Sequence, residues 1–474
     1  MMRSLFAGVS GLKTHQTRMD VIGNNIANVN TVAYKYSTMT FASLMSQTTQ
    51  RASGANATTG TGGVNARQIG LGVKTSAINI NITAQGASQS TGNPFDIMIT
   101  GENFFVVSDG SQNYFTRDGS FYVDGAGNLA MTSIGYNVMG WQAVEDSNGE
   151  LSIKKDTVSA LRIMSSANMT YPPAATTDAY MSGIIDMNDK DVTNGGRVVN
   201  LSFYDSLGYT YTAKFTFEQD QGTNGADADK YKYTMKLAEI QDANSKKYPA
   251  GVADADYETL MASLMKDKEI TFNKNTGKIE TVDGQQVTLN DGVNIDLEFA
   301  QLNGTGTGGT AAVGNFVNIK MDISQVTTYD NKGTSTIGAT NGKDDKFNTG
   351  SGRRVGSMIG VAIQTNGEIY ASYDNGMTKL LGQIATARFA NASGLEKQAD
   401  NLYSDSLNSG SFDGIGVDIT ADGGYMSTGQ LEMSNVDLSS EFTEMITTQR
   451  GFQANSRIIT VSDTLLEELT NLKR

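Results

Sequence analysis

The stretch that organises this chain is residues 438–469, LSSEFTEMITTQRGFQANSRIITVSDTLLEEL. Its mainly apolar positions recur in steps of three and four, which places them on one stripe of an α-helix. They are Leu438, Phe442, Met445, Gln449, Phe452, Asn455, Ile459, Ser462, Leu466 and Leu469. Ser439 or Ser440 is expected to cap the start of the helix. A helix of about 32 residues is roughly 48 Å long, too long to lie on one small domain.

The first thirty residues carry a matching stripe with the same spacing. Its members are Leu5, Gly8, Leu12, His15, Met19, Ile22, Ile26 and Val29. Two such helices at opposite ends of a 474-residue chain predict a terminal coiled coil, with the rest of the chain looped out between them.

Composition excludes several classes of protein. The chain has 36 basic and 50 acidic residues and a net charge of −14, without a basic patch, so nucleic acid is not an expected partner. It contains no cysteine, which excludes disulfides and thiolate metal sites. No apolar run reaches the roughly 18 residues of a membrane span. Gly8, Ser10 and Gly11 interrupt the N-terminal apolar residues, so we expect either a cytosolic protein or export without a cleaved signal peptide.

The region between the two helices is predicted to be rich in β-strands. Short runs of alternating apolar and polar residues are separated by turns rich in glycine and asparagine. In one such run Ile78, Ile80 and Ile82 are expected to share the buried face of a strand. One helix is expected at about 257–266. Residues 48–72 are rich in Ser, Thr and Gly and are expected to be flexible.

These patterns predict a multidomain α+β protein with nested domains. Both chain ends form a helical coiled coil, a β-rich middle domain is likewise built from two segments, and a β-rich outer domain is inserted into it. The predicted boundaries are 1–30 plus 435–474 for the helical inner core, 31–75 for a connector, 76–170 plus 351–434 for the middle domain, and 171–350 for the outer domain, as one unit or two.

No constellation of catalytic or metal-binding residues stands out. His15 is the sole histidine and lies on the helix stripe, where packing is a simpler role than membership of a Ser-His-Asp triad. The pairs Asp227/Asp229 and Asp254/Asp256 lack the glycine and glutamate of an EF-hand loop. Residues 304–309 lack the Gly-Lys-Ser/Thr ending of a phosphate loop. We therefore predict no catalytic residue, no cofactor and no metal.

Both ends of the chain resemble the terminal signatures of the bacterial flagellar axial proteins, the family of rod, hook and hook-associated proteins. The similar segments are 24–35 (NNIANVNTVAYK), 434–442 (SNVDLSSEF) and 445–456 (MITTQRGFQANS). Within that family, three further segments favour a hook member over a rod member: 204–208 (YDSLG), 373–376 (YDNG) and 471–474 (NLKR). Ala33 stands where the family usually has glycine.

The resemblance implies a structural, self-assembling hook subunit and not an enzyme. Such proteins are exported uncleaved through the flagellar type III apparatus and assemble under a cap into a curved, flexible tube. The tube acts as a universal joint that passes torque from rod to filament. The implied partners are further copies of the chain in a helical homopolymer, the rod, hook cap and hook–filament junction proteins, and the export apparatus. The implied location is extracellular, in the flagellar basal body and hook, without membrane insertion.

The candidate site is the surface through which the terminal helices would assemble as an inner core. Its residues are Leu5, Leu12, Met19, Ile22, Asn24, Asn25, Ile26 and Asn28 on the first helix, and Leu438, Phe442, Met445, Gln449, Phe452, Asn455, Ile459, Leu466 and Leu469 on the last. The amides among them either specify the register between subunits or form local caps and hydrogen bonds.

Two other functions stay open at the level of sequence. A distal rod or hook-associated junction protein would share the terminal signatures. A secreted hydrolase carried on an export scaffold would need an acid/base pair within 171–350, such as Asp205 and Asp296, and the spacing of acidic residues there selects no pair.

Overall fold

The computed structural model describes residues 2–55, 60, 62–146, 151–220, 231–287, 292–304, 315–343 and 349–472. The chain forms two compact units. Unit 1 comprises Met1–Asn168, Gly360–Ser372 and Thr378–Arg474, and unit 2 comprises Met169–Ile359 and Tyr373–Met377. Both ends of the chain therefore belong to unit 1, and unit 2 is inserted between its segments.

The first segment of unit 1 is one long helix followed by short strands. The helix, α1, spans Met2–Ala27. The strands are β1 (Ser37–Ser43), β2 (Ser46–Gln50), β3 (Arg67–Gly70), β4 (Val73–Ile80), β5 (Ser88–Ser90), β6 (Ile97–Thr100), β7 (Phe104–Ser108), β8 (Asn113–Thr116), β9 (Phe121–Val123), β10 (Leu129–Met131), β11 (Asn137–Glu145), β12 (Leu151–Ile153) and β13 (Ser159–Ala160).

Unit 2 contains longer strands and two short helices. In chain order they are β14 (Thr170–Tyr171), β15 (Asp178–Ile185), α2 (Lys190–Thr193), β16 (Arg197–Tyr204), β17 (Thr210–Gln219), β18 (Lys232–Asp242), α3 (Asp254–Leu264), β19 (Lys268–Phe272), β20 (Ile279–Val282), β21 (Gln285–Gln286), β22 (Asn294–Leu297), β23 (Ile319–Thr328) and β24 (Gly338–Asn341).

The remaining elements lie from residue 356 onward. They are β25 (Gly356–Ile363), β26 (Glu368–Tyr373), β27 (Thr378–Ile384), β28 (Thr386–Ala387), β29 (Glu396–Lys397), β30 (Leu402–Ser404), β31 (Tyr425–Thr428), β32 (Gln430–Glu432) and α4 (Leu438–Asn471). In the described part of the chain, short 3-10 helices occupy Phe299–Gly304, Ala392–Gly394 and Ile419–Asp422.

Unit 1 is built around an antiparallel sheet. Its strands run in the order β26-β27-β11-β7-β8-β30-β29, so neighbouring strands come from distant parts of the sequence. A core of aromatic and aliphatic side chains packs on it, consisting of Ile82, Phe104, Val106, Phe115, Ala387, Phe389, Leu395 and Tyr403. Near the start of α4, β31 pairs with β6 and β32 pairs with β5. These two pairings join the chain just before α4 to strands of the first segment.

Unit 2 contains two sheets that share one hydrophobic core. One sheet has the order β16-β17-β18-β19-β20-β21, and the other has the order β22-β23-β15-β24. Along β16, Val199, Leu201 and Phe203 are buried and the positions between them are exposed, as expected for a strand with one face on the core. The predicted helix at 257–266 is α3, which buries Tyr257 and Met261 in the same core.

Part of the stretch 48–72, which the sequence predicts to be flexible, forms paired strands. β1 pairs with β4, and β2 pairs with β3, in antiparallel ladders. Every residue of β2 and β3 is exposed, so this hairpin is held by backbone hydrogen bonds along the ladder, with side-chain bonds from Thr49 and Gln68. Composition does not reveal such bonds, because every residue except proline carries the same backbone donor and acceptor.

The prediction that Ile78 shares a buried face with Ile82 is wrong. Ile78 is 50% exposed, whereas Ile82 is 1% exposed. Ile82 lies two residues beyond the end of β4 at Ile80, so the alternation of one strand does not govern both residues.

The cap of α4 also differs from the prediction. Its N-cap is Asp437, whose carboxylate accepts a hydrogen bond from the backbone N of Ser439 at 2.9 Å. Ser439 and Ser440 therefore lie inside the first turn. Aspartate is as good an N-cap as serine, so residue type alone does not identify which of the adjacent residues caps the helix.

The general fold class is confirmed: the protein is a multidomain α+β protein with a helix at each end and a β-rich middle. Within the described ranges, no helix is both long enough and apolar enough to cross a membrane. The finer division into four nested parts stays a prediction.

Candidate functional site

The two terminal helices lie against each other and run antiparallel. At one end, the Ser4 and Ser462 hydroxyl oxygens are 3.5 Å apart. Toward the other end, Asn25 Nδ2 donates to Glu441 Oε1 at 3.0 Å. Residue numbers therefore rise along α1 as they fall along α4, and residues from the two ends of the sequence form one surface.

Small residues allow α1 and α4 to approach closely. A Cβ added at Gly11 would lie 2.7 Å from Asn455 Nδ2, and one added at Gly451 would lie 2.7 Å from His15 Cε1. Real Cβ atoms almost never come so close to another heavy atom. The contact between the helices therefore depends on glycine more than on large apolar side chains.

The stripe predicted on α4 matches this contact better in the second half of the helix than in the first. There Asn455 lies against Gly11, and Ile459 lies against Gly8. In the first half, the contact face uses Glu441 instead of the predicted Phe442. Glu444 also bonds to Arg18 NH2 at 3.0 Å. Of the residues predicted in this half, Met445 and Phe452 are half-buried.

The helix pair buries few of the predicted interface residues. Ile22 and Asn25 are buried. Half-buried are Leu5, Leu12, Met19, Ile26, Asn28, Met445, Phe452, Asn455, Ile459 and Leu466. Exposed are Asn24, Leu438, Phe442, Gln449 and Leu469. Much of the predicted stripe is thus accessible in the single chain.

Other apolar side chains of the two helices, absent from the prediction, are also exposed. They are Phe6 (62%), Val9 (47%), Ile446 (57%), Ile458 (44%), Val461 (57%), Leu465 (44%) and Leu472 (82%). The last four, with Leu469, again follow steps of three and four. This second stripe could have been found in the sequence, because it has the same spacing as the first.

Asn25 joins α1 to two other elements. Its Nδ2 donates to Ser37 O (2.9 Å) and to Glu441 Oε1 (3.0 Å), and its Oδ1 accepts from Ser37 N at 3.0 Å. By contrast, Asn28 Nδ2 donates to Asn24 O at 2.9 Å, a bond within one turn. The amides thus differ in role: Asn25 makes contacts far along the chain, and Asn24 and Asn28 bond locally.

A buried ion cluster lies where both helices meet the β-strands. Lys35 Nζ is 2.6 Å from Glu432 Oε1, and Arg117 NH1 is 3.6 Å from Glu432 Oε2, with all three side chains fully buried. Lys35 Nζ also donates to Ala84 O, and Arg117 NH2 donates to Gly101 O, each at 2.6 Å. The cluster therefore connects the segment after α1, the strand before α4 and the sheet of unit 1.

Burial governs the electrostatics of this cluster. It lowers the pKa of the Lys35 ammonium, and the neighbouring Glu432 carboxylate acts in the opposite direction. Burial likewise raises the pKa of the Tyr403 hydroxyl. A charge at such a depth persists only when it is paired, so the cluster requires all its members.

Asn435 also bonds to backbone in the region where both helices meet the β-strands, which we call the junction. Its Oδ1 accepts from Tyr36 N at 2.8 Å, and its Nδ2 donates to Asn81 O and Ala84 O, each at 3.0 Å. One side chain thus holds two separate stretches of backbone, at Tyr36 and at 81–84, which fixes the direction in which α4 leaves the sheet.

The acidic residues considered for chemistry have structural roles. Asp205 Oδ1 accepts from Leu207 N (3.0 Å) and Tyr209 N (2.8 Å), and Asp296 on β22 lies opposite Lys320. Asp254 pairs with Lys247 at 3.2 Å. In the part of the chain that the structure describes, no three His, Asp or Glu side chains are placed to hold a metal ion. Outside the described residues lie Asp227, Asp229, 305–309 and 473–474.

Three family models match the chain. The model described as "Flagella basal body rod protein" matches residues 5–35. The model "Flagellar hook protein FlgE/F/G D1 domain" matches 98–166, and "Flagellar basal body rod FlgEFG protein C-terminal" matches 427–472. The two terminal matches cover most of α1 and α4, and both include residues of the junction.

Full-length relatives also match. The flagellar hook protein FlgE of Treponema pallidum is 34% identical over 483 residues, covering 100% of both chains. The flagellar basal-body rod protein FlgG of Bacillus subtilis is 28% identical over 474 residues, again covering 100% of both. Among solved structures, a flagellar hook protein of Helicobacter pylori matches with a TM-score of 0.40 and 14% identity, covering 73% of this chain and 100% of that one.

Proposed function

The chain belongs to the flagellar hook protein family and is a structural subunit of the bacterial flagellar hook, and from this premise we propose that it assembles with copies of itself through the exposed apolar faces of α1 and α4. The observation that carries the proposal is the exposure of Phe6, Ile446 and Val461, each by half or more of its surface. Exposed apolar patches mark interaction surfaces, and the spacing of Ile458, Val461, Leu465, Leu469 and Leu472 groups their exposed side chains into one such stripe on α4.

The geometry favours a polymer over a closed dimer. The helix pair presents different residues on different sides, so a neighbour that covers one side leaves the other free. A contact between two different patches is heterologous, and it generates an open helical array when the rotation does not close. In that polymer the helices form an inner core of coiled-coil type, and the β-rich parts lie outside it.

Polymerisation would also stabilise the terminal helices. A long helix takes most of its stability from tertiary packing, and in the single chain α4 buries only Glu441, Thr448 and Ser462. Neighbouring copies would cover the remaining apolar side chains at about 25 cal/mol per Å². We therefore expect the termini to be weakly ordered in the monomer and firmly ordered in the polymer.

The wider role follows from the family. The assembled tube acts as a curved, flexible universal joint that passes torque from rod to filament. Its partners are the rod, hook cap and hook–filament junction proteins, and it reaches the outside of the cell through the flagellar type III apparatus without a cleaved signal peptide. Family membership agrees with a structural role and gives no support to the hydrolase alternative. A distal rod role is the second candidate, because a rod protein also matches over its full length.

The proposal is tested by polymerising the purified full-length protein and examining it by electron microscopy. We expect curved hollow tubes, whereas straight tubes would favour the rod role and a permanent monomer would contradict self-assembly. Ile446→Gln should raise the critical monomer concentration roughly tenfold, the equivalent of about 1.4 kcal/mol. Leu407→Gln is the matched control, because Leu407 is also exposed but lies off the helices, and it should leave assembly unchanged.

A further inference from the structure

A cavity of about 260 Å³ lies where α1, β1 and the first turns of α4 meet. Its walls carry three carboxylates, Asp437, Glu441 and Glu444, and one cation, Arg18. Arg18 is already bonded to Glu444 at 3.0 Å. The cavity therefore has an excess of negative charge and room for a small charged group.

Glu441 is the residue of this cavity whose carboxylate lacks a hydrogen-bond donor. It is only 9% exposed, and Asn25 occupies its Oε1. Its Oε2 is buried and has no hydrogen-bond partner among the described residues. Burial raises the pKa of Glu441, and Glu444 and Asp437 act in the same direction. A buried carboxylate oxygen without a donor is costly, so a cationic donor entering the cavity would be strongly stabilised.

A guanidinium suits the cavity better than a metal ion. The carboxylates are not grouped closely enough to share a metal in the described part of the chain. A guanidinium instead offers several N–H donors that match carboxylate oxygens.

The chain has suitable donors on the far side of α4. Arg450 and Arg457 are exposed, and neither forms an ion pair within the described ranges. They follow Glu441 by 9 and 16 positions (450 − 441 and 457 − 441), which at about 100° per residue turns them by about 180° and 160° around the helix. Neither arginine can therefore reach the cavity of its own chain.

We propose that the guanidinium of Arg450 or Arg457 of a second copy enters this cavity and donates to Glu441 Oε2. This inference rests on the proposed self-assembly and adds to it a contact that fixes the register between neighbouring copies. The cavity and the donor lie on opposite sides of α4. Each copy can therefore insert its arginine into the cavity of one neighbour and accept an arginine from another neighbour. Such a contact is heterologous and repeats along an open polymer.

A double-mutant cycle on polymerisation of the full-length chain tests the contact. Glu441→Gln keeps the acceptor for Asn25 and removes the charge, and it should raise the critical concentration about tenfold or more. Either Arg450→Gln or Arg457→Gln should have a similar effect, and combining it with Glu441→Gln should add little. Glu467→Gln, which removes an exposed carboxylate elsewhere on α4, should change assembly much less.

Chemical cross-linking gives a second measurement that does not depend on Glu441→Gln folding normally. Because the chain has no cysteine, Glu441→Cys combined with Arg450→Cys or Arg457→Cys introduces one defined pair. A short bis-maleimide should then link polymer subunits into a covalent ladder and leave monomers unlinked.

The outcomes separate the two proposals. A wild-type chain that does not polymerise would overturn self-assembly itself. If the wild type polymerises, but Glu441→Gln behaves like Glu467→Gln, or both arginine variants combine additively with it, only the cavity contact is overturned. The absence of a ladder for both cysteine pairs, in samples that electron microscopy shows to be polymerised, would count equally against it.

Discussion

Gly11 of α1 lies directly against the side chain of Asn455 of α4, with no room for a Cβ between them. The two residues are separated by most of the sequence, yet their contact sets the distance between the terminal helices. Tight packing at such a point means that even one added carbon must displace a neighbour.

This relationship predicts opposite effects for the same substitution at two glycines of α1. A Cβ added at Gly23 would meet no other atom within 4 Å, so Gly23→Ala should stabilise the protein by roughly 0.5–1 kcal/mol through helix propensity. Gly11→Ala gains the same propensity but forces the Asn455 amide aside, and it should be about 1–3 kcal/mol less stable than Gly23→Ala. Chemical denaturation followed by circular dichroism measures both, and equal free energies of unfolding would contradict the close contact.

The buried ion cluster predicts a large loss of stability when one member is neutralised. Glu432→Gln would leave Lys35 and Arg117 as buried cations without a counter-charge, at a cost of about 3–5 kcal/mol. As a control, Lys154→Met breaks a pair in which both side chains are mostly exposed, and it should have no measurable effect. Unfolding of the two variants in urea provides the comparison, and a Glu432→Gln protein as stable as wild type would show that the cluster is not needed.

The left-handed backbone conformation of Ala33 predicts that glycine at this position would stabilise the protein. Its φ is 57°, in the left-handed region where an L-residue with a Cβ is disfavoured by roughly 1–2 kcal/mol. Ala33→Gly should therefore raise the free energy of unfolding by up to about 1 kcal/mol, after allowing for the greater freedom of glycine in the unfolded chain. The same change in the exposed, helical Ala454 should instead lower it by about 1 kcal/mol. Two shifts of the same sign would refute this explanation.

The lowered pKa of Asp186 in unit 2 predicts that the protein loses stability in acid. Its carboxylate is fully buried, and burial acts to raise its pKa. The amides of Asn188, Asn331 and Gly333 donate to it and together lower its pKa below the ordinary value. A lowered folded pKa gives stability that is present above the unfolded pKa of about 3.9 and is lost as the pH falls through the folded pKa.

The measurement is the free energy of unfolding as the pH is lowered from about 6 to 2. Asp186→Asn should lower stability near neutral pH and flatten the decline in acid, because the residue no longer takes up a proton. Asp256→Asn, at an exposed position in the first turn of α3, should leave the profile close to wild type. A steep decline that persists unchanged in Asp186→Asn would assign the acid sensitivity to other groups.

The sequence by itself determined the elements and the family. The steps of three and four at both ends predicted α1 and α4, because helix periodicity depends only on local geometry. Alternation of apolar and polar residues predicted a β-rich region between the two helices for the same reason. The two terminal motifs led to the family of flagellar axial proteins, which the full-length relatives then confirmed.

The tertiary structure decided which faces meet. Contact between α1 and α4 depends on the absence of side chains at Gly11 and Gly451. A hydropathy pattern does not identify a glycine as a contact position. Lys35 and Glu432 are 397 positions apart, so no local pattern could pair them. The hairpin of β2 and β3 is held by backbone hydrogen bonds, which composition does not encode. Local geometry fixes what a segment can become, but only packing in three dimensions fixes what it touches.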